Sequence, residues 1–191
     1  MTTKSAFSVV GLAHKVCLSA EEQGYTPELL NSLAENSDLF RQLLQVQRGY
    51  AEMKLIKHVI DCDANPFVPD GWKVEEHQKG GQLVWDASKV QLYLSDGQKN
   101  GKVIEGNKLR KELAGKPVLN ANVLDHLLAN PHLIPEEWKG KVIFFWGTIY
   151  CSSDGRLYVR CLYCFGDRWD LSCNWLGFGW HDDDPVALRA S

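Results

Sequence analysis

The 191-residue chain lacks the features that mark several large classes of protein. It has no block of five or more basic residues and its net charge is −3, so the electrostatic footprint of a nucleic-acid-binding protein is missing. A polybasic membrane-binding patch is absent for the same reason, and no apolar stretch approaches the roughly 20 residues that span a bilayer. The motifs G-x-x-x-x-G-K-[ST], G-x-S-x-G and H-E-x-x-H do not occur. These absences predict a protein that is not an enzyme, binds no nucleic acid and does not insert into a membrane.

The N-terminus lacks the pattern of an export signal. Its apolar run, residues 6–13, is short, only Lys4 precedes it, and no small-x-small cleavage site follows. The spacing of its apolar residues instead predicts an amphipathic helix. A cytoplasmic location is therefore expected, where a disulfide framework is uncommon. The six cysteines are Cys17, Cys62, Cys151, Cys161, Cys164 and Cys173.

The C-terminal part lacks four residue types altogether. Lys, Gln, Glu and Met occur throughout residues 1–141, and none occurs in residues 142–191. Strands are depleted in Lys and Glu, but that depletion does not account for the Gly- and Asp-rich stretch near the end. Codons of the form NNC encode every residue type found there except Trp, and they never encode the four missing types. Random replacement of adenines, mainly those of AAC codons for Asn, would leave this composition and would spare Trp, whose TGG codon has no adenine.

The remaining pattern predicts an α+β chain in two parts. Residues 1–52 are predicted to form a helical N-terminal arm, in which Thr26-Pro27-Glu28 begins one helix and Ser37-Asp38 begins another. Residues 53–191 are predicted to form one domain. Its predicted strands are Met53–Ile60, one or two within Val74–Leu94, Val142–Tyr150, its hairpin partner Leu157–Tyr163, and Val186–Leu188. Its predicted helices lie near Gly106–Leu113 and at Ala121–Ala129, and residues 161–184 are predicted to be loop-rich and held by three tryptophans.

One segment of the chain has a specific resemblance. The run YVRCLYCFGDRWDLSCNWLGFGWHDDDPVALRAS has a W-x5-W-x4-W frame, an alphabet expected from an Asn-rich template and a Pro-x-Ala-Leu-x-Ala-Ser ending. It resembles the variable region of target proteins of diversity-generating retroelements, in which an error-prone reverse transcriptase rewrites the adenine positions of one short segment. The resemblance is to bacterial proteins and implies a C-type lectin-like fold. It also implies a hypervariable surface, at about residues 161–184, that binds a protein or another macromolecule without a cofactor.

The resemblance also implies which residues vary and which stay fixed. The implied variable, ligand-binding residues are Tyr163, Cys164, Phe165, Asp170, Leu171, Ser172, Cys173, Gly177, Phe178, Gly179, His181, Asp182, Asp183 and Asp184, with Asp167 and Asn174 as additions. The implied fixed scaffold is Trp169, Trp175 and Trp180, with Leu176 and Pro185. Variable surface residues on a fixed scaffold contribute little to folding stability and act by contact chemistry, as an antibody paratope does.

A second hypothesis treats the same segment as a metal or thiol site. Cys161-x2-Cys164, together with Cys151, Cys173 or His181, could bind zinc, although the second close pair that structural zinc sites usually have is missing. The run Asp182-Asp183-Asp184 could contribute to a calcium site only if other oxygen ligands converge on it. The identity of the ligand and the oligomeric state stay open at this point.

Overall fold

The computed structural model of the protein describes residues 9–53 and 56–190. These residues belong to two compact units that meet in the sequence between Ile56 and Lys57. In the part of the chain that the structure describes, no helix combines the length and apolar character needed to cross a bilayer.

The first unit is helical, as the sequence predicts. It contains α1 (Val9–Glu22), α2 (Pro27–Glu35) and α3 (Ser37–Gln47). The Thr26 hydroxyl accepts a hydrogen bond from the backbone N–H of Leu29 at the start of α2 (3.4 Å), and the Asn36 side chain accepts one from Leu39 at the start of α3 (2.9 Å). These side-chain acceptors satisfy backbone donors that have no partner within the helix.

The second unit combines a mixed sheet with two helices, so the α+β class predicted from the sequence is confirmed. Its strands are β1 (Val59–Asp61), β2 (Lys73–His77), β3 (Gln82–Val84), β4 (Val90–Tyr93), β5 (Ile104–Glu105), β6 (Ile143–Cys151), β7 (Leu157–Phe165), β8 (Arg168–Trp175), β9 (Gly179–Trp180) and β10 (Val186–Arg189). Its α-helices are α4 (Gly106–Glu112) and α5 (Ala121–Ala129), and short 3₁₀ turns lie at Ala87–Lys89, Pro131–Leu133 and Glu136–Trp138.

The main sheet has six strands in the order β4-β10-β6-β7-β8, with β2 also paired to β6. The β10–β6 pair is parallel and the other pairs are antiparallel. Two smaller antiparallel pairs, β1–β3 and β5–β9, lie outside the main sheet. Among the described residues β8 pairs only with β7, so it forms one margin of the main sheet.

Alternation along the strands divides the core into two clusters, one on each face of the sheet. In β6, Phe145 packs in the cluster that includes Val123, Leu124 and Leu127 of α5. Its neighbour Phe144 packs in the cluster that includes Leu109 of α4. We name these two sides of the sheet the α5 face and the α4 face. Every residue of β6 is buried because both faces are covered.

The structure corrects three of the predicted elements. The strand predicted at Met53–Ile60 is wrong, because pairing begins only at Val59; Lys54 and Leu55 lie outside the described residues. The stretch Val74–Leu94 contributes to three strands instead of one or two. The loop-rich prediction for residues 161–184 is also wrong, because most of that segment belongs to β7, β8 and β9. The middle of β8 is exposed on both faces, so the sequence shows no apolar alternation there.

Candidate functional site

The β7–β8 hairpin contains half of the fourteen predicted variable residues and both additions, Asp167 and Asn174. Gly166 and Asp167 form the turn, and Gly166 has a φ of 61°, a backbone conformation that favours glycine. From the turn, the register continues without interruption from the Phe165–Arg168 pair to the Tyr158–Trp175 pair. The hairpin is therefore a regular ladder held by backbone hydrogen bonds.

None of the predicted variable side chains is fully buried. Phe165 is 79% exposed, Phe178 is 56% exposed and Leu171 is 41% exposed. By contrast, Trp180 and Leu176 of the predicted scaffold are buried, as is Pro185.

Alternation distributes the strand positions over both faces of the sheet. Leu162 and Trp169 pack in the α5-face cluster, whereas Cys161 packs in the α4-face cluster. The strand positions on the α5 face are therefore Cys164, Leu171 and Cys173. Those on the α4 face are Tyr163, Phe165, Asp170 and Ser172. The predicted variable residues thus do not form one face; in β8 they share the margin of the sheet.

Residues 176–184 lie on the α4 face and are held mainly through their backbone. The side-chain amide of Gln98, which is fully buried, donates to the carbonyl oxygens of His181 (2.8 Å) and Asp184 (2.9 Å). The backbone N–H of Gly106 donates to the carbonyl of Phe178 (3.1 Å), and that of Val142 donates to the carbonyl of residue 183 (3.0 Å). These bonds do not depend on which side chains the loop residues carry.

Trp180 fixes this loop to the interior. Its ring centroid lies 4.1 Å from that of Phe144 and 4.8 Å from that of Trp146. Gly106 allows this packing, because a Cβ at that position would lie 2.4 Å from Nε1 of Trp180 and 2.6 Å from the carbonyl oxygen of Leu176. The glycine that begins α4 and the buried indole are therefore complementary parts of one anchor.

The three tryptophans of the predicted scaffold have different surroundings. Only Trp180 is fully buried. Trp169 is half-buried against the α5-face cluster. Trp175 is also half-buried, and it contacts the Phe178 ring (5.2 Å between centroids) and the Arg156 guanidinium (5.1 Å from the ring centroid). Trp175 therefore shapes the exposed surface as well as supporting it.

Two predicted variable positions are restricted by their neighbours. A Cβ at Gly177 would lie 2.4 Å from the Trp175 ring, and a Cβ at Gly179 would lie 2.4 Å from a methyl group of Val103. Val103 is exposed and can move aside, whereas the indole must shift its position. Free variation is thus easier at Gly179 than at Gly177.

The carboxylate of Asp184 accepts a hydrogen bond from the backbone N–H of His181 (2.9 Å). Partial burial raises the pKa of Asp184, and the neighbouring Asp183 and Asp182 raise it further. The folded state therefore favours the neutral acid, so this group lowers stability once the pH rises above the pKa of the unfolded chain.

We expect Asp184→Asn to raise the free energy of unfolding at pH 7, by less than about 1 kcal/mol because half of the side chain faces solvent. At pH 3, where the acid is neutral in both states, the substitution should have no effect. Chemical denaturation at the two pH values measures the difference, with the exposed Asp182→Asn as the charge-matched control. Equal gains at both pH values would contradict the assignment.

The thiol and metal hypothesis meets a geometric obstacle. Cys161 and Cys164 both lie in β7, where residues three apart point to opposite faces. The Cys161 side chain packs in the α4-face cluster, and burial raises the pKa of its thiol to about 12. A thiol that stays protonated at neutral pH is a weak nucleophile. Across residues 9–53 and 56–190, no three His, Cys, Asp or Glu side chains are placed to hold a metal ion.

Several residues of the site have no signal in the sequence. Gln98, Gly106 and Val142 hold the loop from distant parts of the chain, and a local pattern does not show which loop they contact. Their roles follow from the fold and not from any relative. The chain matches no protein-family model, no curated protein and no solved structure.

Proposed function

We propose that the protein binds a protein or another macromolecule through a hypervariable surface at about residues 161–184, formed by the β7–β8 hairpin and residues 176–184, and that a retroelement diversifies this surface. The observation that supports the proposal most directly is the backbone anchoring of the loop by Gln98, Gly106 and Val142. A surface that must accept many side chains needs a conformation that does not depend on them. The backbone hydrogen bonds between β7 and β8, and those donated to the carbonyl groups of the loop, give such a conformation.

The distribution of exposure supports the same proposal. Exposed side chains contribute little to folding stability, so they can change freely, whereas Trp180, Leu176 and Pro185 are buried and alternate with them in the sequence. The C-type lectin-like fold is part of this proposal. What supports it is the mixed sheet with a helix on either face and the long, anchored segment near the C-terminus.

The nucleotide sequence provides the test of diversification. We expect a second, non-coding copy of the bases for residues 161–184 downstream of the coding segment, differing from it only at adenine positions, together with a reverse transcriptase gene. Differences spread evenly over all four bases would contradict the proposal.

Stability provides a separate test of the surface. The triple substitution Phe165→Ser, Leu171→Ser and Phe178→Ser should lower the free energy of unfolding by no more than about 1.5 kcal/mol, because each side chain is exposed. The matched control is Leu162→Ser, since Leu162 pairs with Leu171 across the hairpin and is fully buried.

The control should cost about 3 kcal/mol or more, because it combines a cavity with a buried hydroxyl. Urea denaturation followed by circular dichroism measures both variants. If the triple substitution is as destabilising as Leu162→Ser, the three side chains belong to the core and the proposed surface is wrong.

A further inference from the structure

β8 is an open margin of the main sheet. Among residues 9–53 and 56–190, only β7 pairs with it, and the register between them contains no bulge. Natural sheet margins are usually protected against an added strand by shortness, charged side chains, proline or a bulge. Arg168–Trp175 has eight residues, no proline and no bulge, and its two charged side chains, Arg168 and Asp170, pair with each other.

The hydrogen bonds show which backbone groups of β8 point away from β7. The N–H of Leu176 donates to the carbonyl of Leu157 (2.9 Å). Along an antiparallel strand, successive residues direct their backbone N–H and C=O groups alternately toward one neighbour and toward the other side. The backbone groups of the even-numbered residues of β8 therefore point toward β7. Consistently, the N–H of Leu171 donates to the carboxylate of Asp170 (2.8 Å) and not to β7. The backbone groups of Trp169, Leu171 and Cys173 therefore point outward.

We propose that the outer edge of β8 pairs with an extended polypeptide segment of the bound protein, which adds a further strand to the sheet. This inference rests on the proposed function and names the kind of partner. A row of outward N–H and C=O groups is complementary to another extended backbone. Backbone hydrogen bonds would supply affinity that is independent of the diversified side chains.

Strand addition also explains the distribution of the variable positions. Asp170 and Ser172 lie on the α4 face, whereas Leu171 and Cys173 lie on the α5 face. Side chains of an added strand would lie beside both sets, since they too alternate between the faces. Four consecutive variable positions in β8 would then contact side chains on both faces of one bound segment.

In the present sequence the Asp170 side chain competes with an added strand for one backbone donor of β8. Its carboxylate occupies the outward N–H of Leu171 (2.8 Å) and lies 3.2 Å from the Arg168 guanidinium. A partner strand must displace the carboxylate to reach that N–H. Asp170→Ala should therefore strengthen strand addition about 3- to 10-fold, the gain from one freed hydrogen bond.

The probes for the test are linear dodecapeptides enriched on the full-length protein from a phage-displayed random library, then synthesised and measured by calorimetry. Cys173→Pro removes one outward N–H, and proline is tolerated on an edge strand where that N–H faces solvent. The matched control is Cys173→Val, which keeps the N–H. We expect Cys173→Pro to bind the enriched peptides at least about 10-fold more weakly than Cys173→Val.

Amide hydrogen exchange of the unmodified protein gives an independent measurement should Cys173→Pro misfold. Saturation with peptide should slow exchange at Leu171 and Cys173 more than at His181. Protection confined to residues 177–184, equal affinity of Cys173→Pro and Cys173→Val, or failure to enrich any linear peptide would overturn strand addition. Protection of Leu171 and Cys173 without peptide, together with dimerisation, would also overturn it, because a second copy would then occupy the edge.

The failure of strand addition differs from the failure of the proposed function. Enrichment of folded binders whose affinity falls with Phe165→Ser or Phe178→Ser would support the proposed surface even when strand addition fails. Binders insensitive to both substitutions and to Cys173→Pro would contradict both proposals.

Discussion

Replacing Trp180 with alanine is expected to lower the free energy of unfolding by about 3–5 kcal/mol, the usual cost of deleting a buried tryptophan. The indole is fully buried between Phe144, Trp146 and the backbone at Gly106. Removing it would leave a cavity and would release the loop that carries Phe178. For a unit of this size the melting temperature should fall by about 10 °C or more.

Two control substitutions separate packing from other effects. Trp180→Phe keeps most of the apolar volume and removes an indole N–H that has no acceptor within the described residues, so it should cost less than about 2 kcal/mol. Phe178→Ala, two positions away and exposed, should change stability by less than about 1 kcal/mol. Thermal and urea denaturation rank the three variants. Equal losses for Trp180→Ala and Phe178→Ala would refute the distinction between scaffold and surface.

Within the second unit, the sequence predicted the buried helix α5 and strand β6 well and the exposed strand β8 poorly. Helix α5 was predicted at Ala121–Ala129 and occurs there, because four of its residues form a buried stripe. Strand β6 was predicted within a residue at each end, since all of its residues are apolar or small and buried. Strand β8 was missed because its middle residues are exposed on both faces, so burial imposes no period on Leu171, Ser172 and Cys173.

The composition of the segment identified the candidate surface, but not its geometry. Buried Trp180 and exposed Phe178 differ in role although both are aromatic, and the distant partners of Trp180, namely Phe144, Trp146 and Gly106, distinguish them. The division of β7 and β8 between two faces follows from register, which a single sequence does not specify. Contacts such as those of Gln98 join residues more than 80 positions apart.

A second large loss of stability is expected from breaking the ion pair between Arg160 of β7 and Asp125 of α5. The guanidinium of Arg160 binds both carboxylate oxygens of Asp125, at 3.0 Å and 2.7 Å. The Arg160 side chain is only 5% exposed, whereas that of Asp125 is 34% exposed. The Phe67 ring lies 5.8 Å from the guanidinium, so Arg160 has little access to water if its partner is lost.

The two partners should therefore differ in the cost of their removal. Asp125→Ala leaves a buried, unpaired guanidinium and should cost about 3–5 kcal/mol. Arg160→Met keeps the stem and leaves a carboxylate that water can reach, so it should cost about 1–2 kcal/mol. Urea denaturation of each variant measures the two losses. Equal losses would show that the solvent exposure of the remaining partner does not determine the loss of stability.

The double variant Asp125→Ala, Arg160→Met should be more stable than Asp125→Ala alone, because the second substitution removes the unpaired charge. Cys173 pairs with Arg160 across the hairpin, so the ion pair lies directly beside one of the predicted variable positions. If the ion pair holds β7 in place beside the variable strand β8, Asp125→Ala should also accelerate amide exchange at residues 171–173. The double variant should return the exchange rates toward those of the unmodified protein. Unchanged exchange in Asp125→Ala would show that the ion pair stabilises the fold without supporting the surface.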